Sequence, residues 1–245
     1  MPFKKKILIS GTSSGLGKFL NEKISSTKYL RNKNISQYKK IHWDLIIHSG
    51  FYSGWNKNKY LDNLKHTNLL SNLDYKKFIF ISSAAVYDGT KGDRNERKKI
   101  IINKRHSDYA KSKIECEKIL KKKKHLIIRL GSIVGKYLRK NNIYKLLNYK
   151  NPKLTISQNS VYSFVDYSEI LNFIDISSKK NLSGIYNLLR TDFFLIKKVD
   201  KILKKKITYG NYTFECTKAS NKKIKKFIDL KTNSSIDIIL KYKNN

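Results

Sequence analysis

Lys6-Ile7-Leu8-Ile9-Ser10-Gly11-Thr12-Ser13-Ser14-Gly15-Leu16-Gly17 leads directly into Leu16, Phe19, Leu20 and Ile24 at helical spacing. The first five residues are apolar and partly β-branched, the pattern of a short strand buried on both faces. Three glycines follow, and a helix begins among them. A strand, a Gly-x-x-x-Gly-x-Gly loop and a helix form a dinucleotide-binding context. The first glycine permits the tight turn, and the later ones let backbone approach a pyrophosphate and pack the helix on the sheet. Free N–H groups at the helix start would bind the anion.

Further along, short apolar runs alternate with helical patterns. Strands are predicted over 43–49, 77–82, 126–129, 162–165 and 185–188, with another over 208–215. Helices are predicted over 60–73, 107–120, 167–176, 193–205, 218–227 and 235–240. This alternation implies an α/β fold with a doubly wound parallel sheet. The 27 positions from Gly17 to Asp44 are too few for a full second strand and helix, so the adenosine side is expected to be trimmed. Residues 1–160 are read as a dinucleotide-binding core. Residues 161–245 are read as the remaining sheet elements and a short substrate-side extension of the same unit.

The chain has 245 residues, 40% of them hydrophobic, which excludes a disordered polymer and leaves one medium domain. No apolar run reaches the ~20 residues of a membrane span. No secretory pattern is seen, and a cytoplasmic location is expected. Cys116 and Cys216 belong to no paired motif, and His42, His48, His66, His106 and His125 have no ligand spacing, so no metal is expected. His48, at a strand end, reads as a packed histidine. The 53 basic and 18 acidic residues give +35. The lysines are spread along the chain beside many Asn and Ile. That reads as a solvated basic surface of A/T-rich coding rather than a nucleic-acid interface.

Tyr109 and Lys113 stand four residues apart, so they share a helix face. A lysine ammonium near a phenol favours the phenolate, and Tyr109 could then exchange a proton while a hydride moves. Ser83 lies at the carboxyl end of the third strand read, where hydroxyls face the ligand crevice. No Asp or Glu lies between Glu22 and Asp44 to hold an adenosine ribose. Lys28, Arg31 and Lys33 stand there instead and suit the 2′-phosphate of NADP better than NAD.

Taken in order, these motifs resemble the short-chain dehydrogenase/reductase superfamily, and its extended NAD-dependent epimerase/dehydratase branch most closely. The resemblance rests on residues 11–17, Asp44–Gly50, Ile81–Tyr87, Tyr109-x-x-x-Lys113, Ile128–Gly135, Phe164-Val165-Asp166 and Gly184–Asn187. It implies a Rossmann-like fold and a nucleotide-sugar substrate. Gly11, Thr12, Ser13, Ser14, Gly15, Leu16 and Gly17 would surround the pyrophosphate, with Ser49 and Gly50 beneath the cofactor and Arg31 on its adenosine side. Ser83, Tyr109 and Lys113 would be the catalytic set, Lys113 also bonding the nicotinamide ribose. Asn63 would support the cofactor side, and Asp166 would cap its helix. Ser83, Tyr87 and Arg129 would meet substrate, while Lys136 and Arg139 are further candidates for its diphosphate. Trp55 lies in a loop expected near the nicotinamide. A homodimer is expected through the helices at 60–73 and 107–120.

The sequence departs from the branch in its glycine spacing, in Leu130 where proline is usual, and in a reduced carboxyl-terminal part. Two other readings stay open: a non-catalytic dinucleotide-binding regulatory module, and a basic protein associated with nucleic acid.

Overall fold

The computed structural model describes residues 5–29, 35–52, 58–120, 125–230 and 233–243. Its first half runs β1 (Ile7–Ser10), α1 (Gly15–Lys23), β2 (Thr27–Tyr29), α2 (Ser36–Lys39), β3 (Leu45–His48), α3 (Asn58–Ser71), β4 (Phe78–Ser83) and α4 (Asp108–Leu120). It continues through β5 (Leu126–Leu130), β6 (Ser132–Val134), α5 (Asn142–Asn148), β7 (Val161–Tyr162), β8 (Phe164–Asp166), α6 (Tyr167–Lys179) and β9 (Gly184–Leu188). β10 (Phe194–Leu195), α7 (Lys198–Leu203) and α8 (Ser235–Lys241) complete it.

Six strands form one parallel sheet in the order β2-β1-β3-β4-β5-β9. Both faces are covered, and the period-2 alternation of each strand divides its side chains between them. Ile9, Ile47, Ile79, Ile81 and Ile128 pack under α1 and α6 against Leu16, Phe19, Leu20, Ile170 and Phe173. Leu8, Ile46, Phe78, Phe80 and Ile127 pack under α3 and α4 against Leu70, Cys116 and Leu120. A separate core beyond β5 joins α5, α7 and α8 through Leu146, Phe164, Phe194, Val199 and Ile239. No helix among the described residues is long and apolar enough to cross a membrane.

Several elements differ from the sequence expectation. A second strand and helix do fit after α1, because β2 is three residues long and α2 a single turn. The strand expected over 162–165 divides at Ser163. β7 pairs antiparallel with β10, and β8 runs parallel to β6. The apolar run at 193–196 starts as strand β10, so the helix begins only at Lys198. Residues 208–215 reach only isolated bridges, to Lys153, Ile156 and Val161. Of the helix expected over 218–227, one 3₁₀ turn forms at Ile224–Lys226. Asp166 starts α6 in a reciprocal cap: its carboxylate accepts from the Ser168 N–H at 2.7 Å, and Glu169 accepts from the Asp166 N–H at 2.9 Å.

Candidate active site

β1 is flanked by β2 on one side and β3 on the other, so strand order reverses there. Open α/β sheets bind ligands beyond the carboxyl ends of their strands at such a point. A cavity of about 560 Å³ lies there, lined from the glycine loop to the segment after β9.

The glycine loop fits tightly against the end of β3. A Cβ on Gly11 would stand 2.4 Å from the Gly50 Cα, and one on Gly17 would stand 2.2 Å from the Gly11 carbonyl oxygen. Neither position admits a side chain. Gly15 has φ +57°, and its open side meets only the Arg139 side chain and the Tyr167 hydroxyl, 3.6 Å from an added Cβ. Ser14 precedes α1 without a side-chain cap, and the first turn carries no acid. That helix end therefore favours an anion, and the cradle fits a dinucleotide pyrophosphate.

Ser14, Gly15, Leu16, Gly17 and Ser49 line the cavity. Gly11 and Gly50 pack on each other beneath it, while Thr12 and Ser13 form the turn and do not line it. The Ser49 hydroxyl donates to the Ser10 carbonyl at 2.5 Å, and the Gly50 N–H donates to the Ser10 hydroxyl at 2.9 Å. His48 is buried, with the Ser10 hydroxyl at 2.7 Å from Nδ1 and the Thr67 hydroxyl at 2.9 Å from Nε2. Lys28 is exposed on β2; Arg31, Lys33 and Trp55 lie outside the described residues.

Ser83, at the end of β4, accepts from the Ala85 N–H at 3.2 Å and lines the cavity together with Tyr109. Tyr109 and Lys113 occupy one face of α4, with the Lys113 Nζ 5.8 Å from the Tyr109 ring centre. Serine, tyrosine and lysine thus meet at the crevice floor, but the electrostatics differ from the expected arrangement. Lys113 Nζ donates to the Ile81 carbonyl at 2.6 Å and sits 3.5 Å from the Phe51 ring centre. Burial lowers its ammonium to about 7. Burial also raises the Tyr109 phenol, against the pull of the Ser83 hydroxyl and the Arg139 charge. In this arrangement the phenolate is not favoured, because burial outweighs both of these.

Three expected contacts are corrected. Arg129 is fully buried and does not line the cavity. Its Nε and Nη2 donate to the two oxygens of Glu117 at 3.0 and 2.6 Å, and Nη1 donates to the Tyr87 hydroxyl at 2.6 Å. Tyr87 is likewise core, its hydroxyl 2.8 Å from the Asn95 carbonyl and 3.0 Å from Asn187 Oδ1. Asn63 is buried and binds the backbone of Tyr52 in both directions, at 2.8 and 3.1 Å, so it shapes the loop after β3 without reaching the cavity.

Other cavity residues were not anticipated: Phe51, Arg105, Arg190 and Tyr167. An apolar residue in a loop carries no functional signal, and single arginines are lost in so basic a chain. Arg139, a candidate for a diphosphate, does line the cavity.

The fold matches solved enzymes of sugar-nucleotide chemistry. TunA, an NAD-dependent NDP-hexosamine 5,6-dehydratase involved in tunicamycin biosynthesis, is 14% identical, with a TM-score of 0.82 over 98% of this chain and 97% of that one. UDP-glucuronic acid 4-epimerase from Bacillus cereus, in complex with UDP-glucuronic acid and NAD, is 17% identical, with a TM-score of 0.79 over 98% of each chain. dTDP-4-dehydrorhamnose reductase from Bacillus anthracis, in complex with NADP, is 17% identical, with a TM-score of 0.76 over 98% and 99%. No family model and no curated protein sequence matches the chain.

The fold is that of these solved enzymes, a Rossmann-like parallel sheet flanked by helices. The likeness runs past Asn187, where the sequence motifs end, to nearly the whole chain.

Proposed function

We propose that this protein is an NAD(P)-dependent enzyme that acts on a nucleotide-activated sugar. The observation that carries the reading is that Ser83, at the carboxyl end of β4, and Tyr109 line the same crevice as the glycine loop. Ser14, Gly15, Leu16 and Gly17 would hold the pyrophosphate of the dinucleotide, which supplies the hydride acceptor or donor. The lysines and Arg31 between Glu22 and Asp44 favour NADP. Ser83 would hold the reacting oxygen of the sugar by hydrogen bond. Tyr109 would take the proton from that oxygen in oxidation and return it in reduction. Lys113, one helical turn away, would supply the positive charge that brings the phenol towards neutral pH. Arg139 and Arg105, on the cavity wall, suit the diphosphate of the substrate. Pairing of two copies through α3 and α4 belongs to the same reading, and Leu61 on α3 is left exposed for it.

Purified protein with NAD(P) should turn over members of a panel of UDP- and dTDP-sugars, followed by product chromatography. Tyr109→Phe should lower turnover at least a hundredfold, the usual size of an acid–base contribution, and leave dinucleotide affinity within about twofold. Turnover retained in Tyr109→Phe would remove that residue from its role. One observation favours a non-catalytic, dinucleotide-binding reading: the Phe51 ring covers Lys113 and meets Tyr109 edge-on, with ring centres 5.7 Å apart. Tight dinucleotide binding without turnover of any sugar nucleotide would select that reading.

A further inference from the structure

The chain itself closes the dinucleotide end of the crevice. Residues 135–139 follow β6 and turn back over the glycine loop. Tyr137 adopts a left-handed backbone, φ 71°, unusual for an aromatic residue. Its carbonyl accepts the Gly15 N–H at 2.9 Å. Its ring lies between Lys18 and Lys136, whose ammonium groups are 4.1 and 4.9 Å from the ring centre. Lys136 in turn pairs with Glu22 on the outer surface of α1, at 3.7 Å. Two residues past Tyr137, Arg139 crosses the start of α1 and donates from Nη1 to the Phe51 carbonyl at 3.4 Å. Phe51 in turn stacks on the Lys113 ammonium.

These contacts form a continuous path from the surface of α1 to the face of α4. They engage two groups that the proposed function uses, the Gly15 amide at the pyrophosphate and the Lys113 ammonium beside Tyr109. An arriving anion competes with the Tyr137 carbonyl for that amide, and opening would relieve the left-handed Tyr137. Strained backbone held by surrounding contacts is a mark of switching segments.

We propose that residues 135–139 and Phe51 form a latch over the dinucleotide site, and that the dinucleotide binds to the open form. The identity of the ligand rests on the proposed function. A site that must first open binds more weakly by its open fraction, so loosening the latch raises affinity. If these residues instead only contacted the ligand, loosening them would lower it.

Tyr137→Leu removes the aromatic face that meets Lys18 and Lys136 without changing charge. Phe51→Leu keeps the core filled and removes the aromatic face from Lys113. NADH and NADPH affinities are measured by calorimetry for wild type and both variants, with hydrogen exchange of peptide 11–20 in the free proteins. Tyr137→Leu should bind roughly two- to fivefold tighter, the size of an exposed cation–π contact. Phe51→Leu should gain by a similar factor, the size of a cation–π contact. The peptide should exchange faster in both. Affinity equal to or below wild type in either variant overturns the latch and leaves the dinucleotide reading intact. No binding by any of the three folded proteins overturns both.

Discussion

Removing Glu117 tests whether Arg129 is a structural residue. The guanidinium is 0% exposed and Glu117 3%, and they are joined by two parallel hydrogen bonds. Burial opposes the charge on Arg129, but Glu117 and the Tyr87 hydroxyl outweigh it and raise its pKa further. Glu117→Gln keeps the shape and removes the anion. Leaving one partner of a buried pair costs about 3–5 kcal/mol. A domain of this size loses roughly 2–4 °C per kcal/mol, so Tm should fall by about 6–20 °C. In Glu117→Leu/Arg129→Met no buried charge remains, and replacing such a pair with apolar residues is often neutral or stabilising. Two polar groups lose a partner there: the Ser82 hydroxyl, which donates to Glu117 at 2.7 Å, and the Tyr87 hydroxyl. At roughly 1 kcal/mol each, the double variant should stay within about 2 kcal/mol of wild type. Urea unfolding at constant m-value measures all of these. If Glu117→Gln lies within 1 kcal/mol of wild type, the pair does not hold α4 to β5 as argued. If the double variant is stable but has lost sugar-nucleotide binding, Arg129 is a ligand contact after all.

Lys113 and the glycine loop give two more expectations. Burial holds Lys113 at about 7 in the folded protein, against 10.5 ordinarily. Between those values the unfolded chain binds the extra proton, so this group's penalty is full below pH 7 and vanishes as pH rises towards 10.5. The stability of Lys113→Met relative to wild type should therefore decline between pH 7.5 and 9.5, by up to about 2.7 kcal/mol; parallel denaturation curves at both pH values would refute it. Gly17→Ala, whose methyl would overlap the Gly11 carbonyl, should yield no soluble folded protein. Gly15→Ala meets only ordinary contacts at 3.6 Å, at φ +57°, and should fold with a loss of about 1–2 kcal/mol. Equal thermal stability of the two would show that the loop is not packed as described.

What could be read from the sequence was local. Five of the six strands of the sheet were legible because they are short, largely buried and mainly apolar runs, whereas β2, Thr-Lys-Tyr with two of its three residues exposed, was not. Tyr109 and Lys113 were legible because one helix turn fixes their relation. The carboxyl-terminal part was not, since residues 208–215 and 193–196 take their form from isolated partners far along the chain. The partner of Arg129 was not legible for a related reason: an arginine at a strand end looks the same whether it faces a ligand or a buried acid. The discriminating signal lay elsewhere, in Glu117, which shares the buried face of α4 with Ala110 and Ile114. An acid on an apolar stripe requires a buried cation, and β5 provides it. The same limit applies to the glycine loop. Its pattern specifies a cradle for an anion, but whether the cradle is open depends on Tyr137 and Phe51, which no local pattern connects to it. The residue types needed for the chemistry are written in single elements, while access to them is set by tertiary contacts. Binding measurements on latch variants therefore address what neither the motif nor the fold decides.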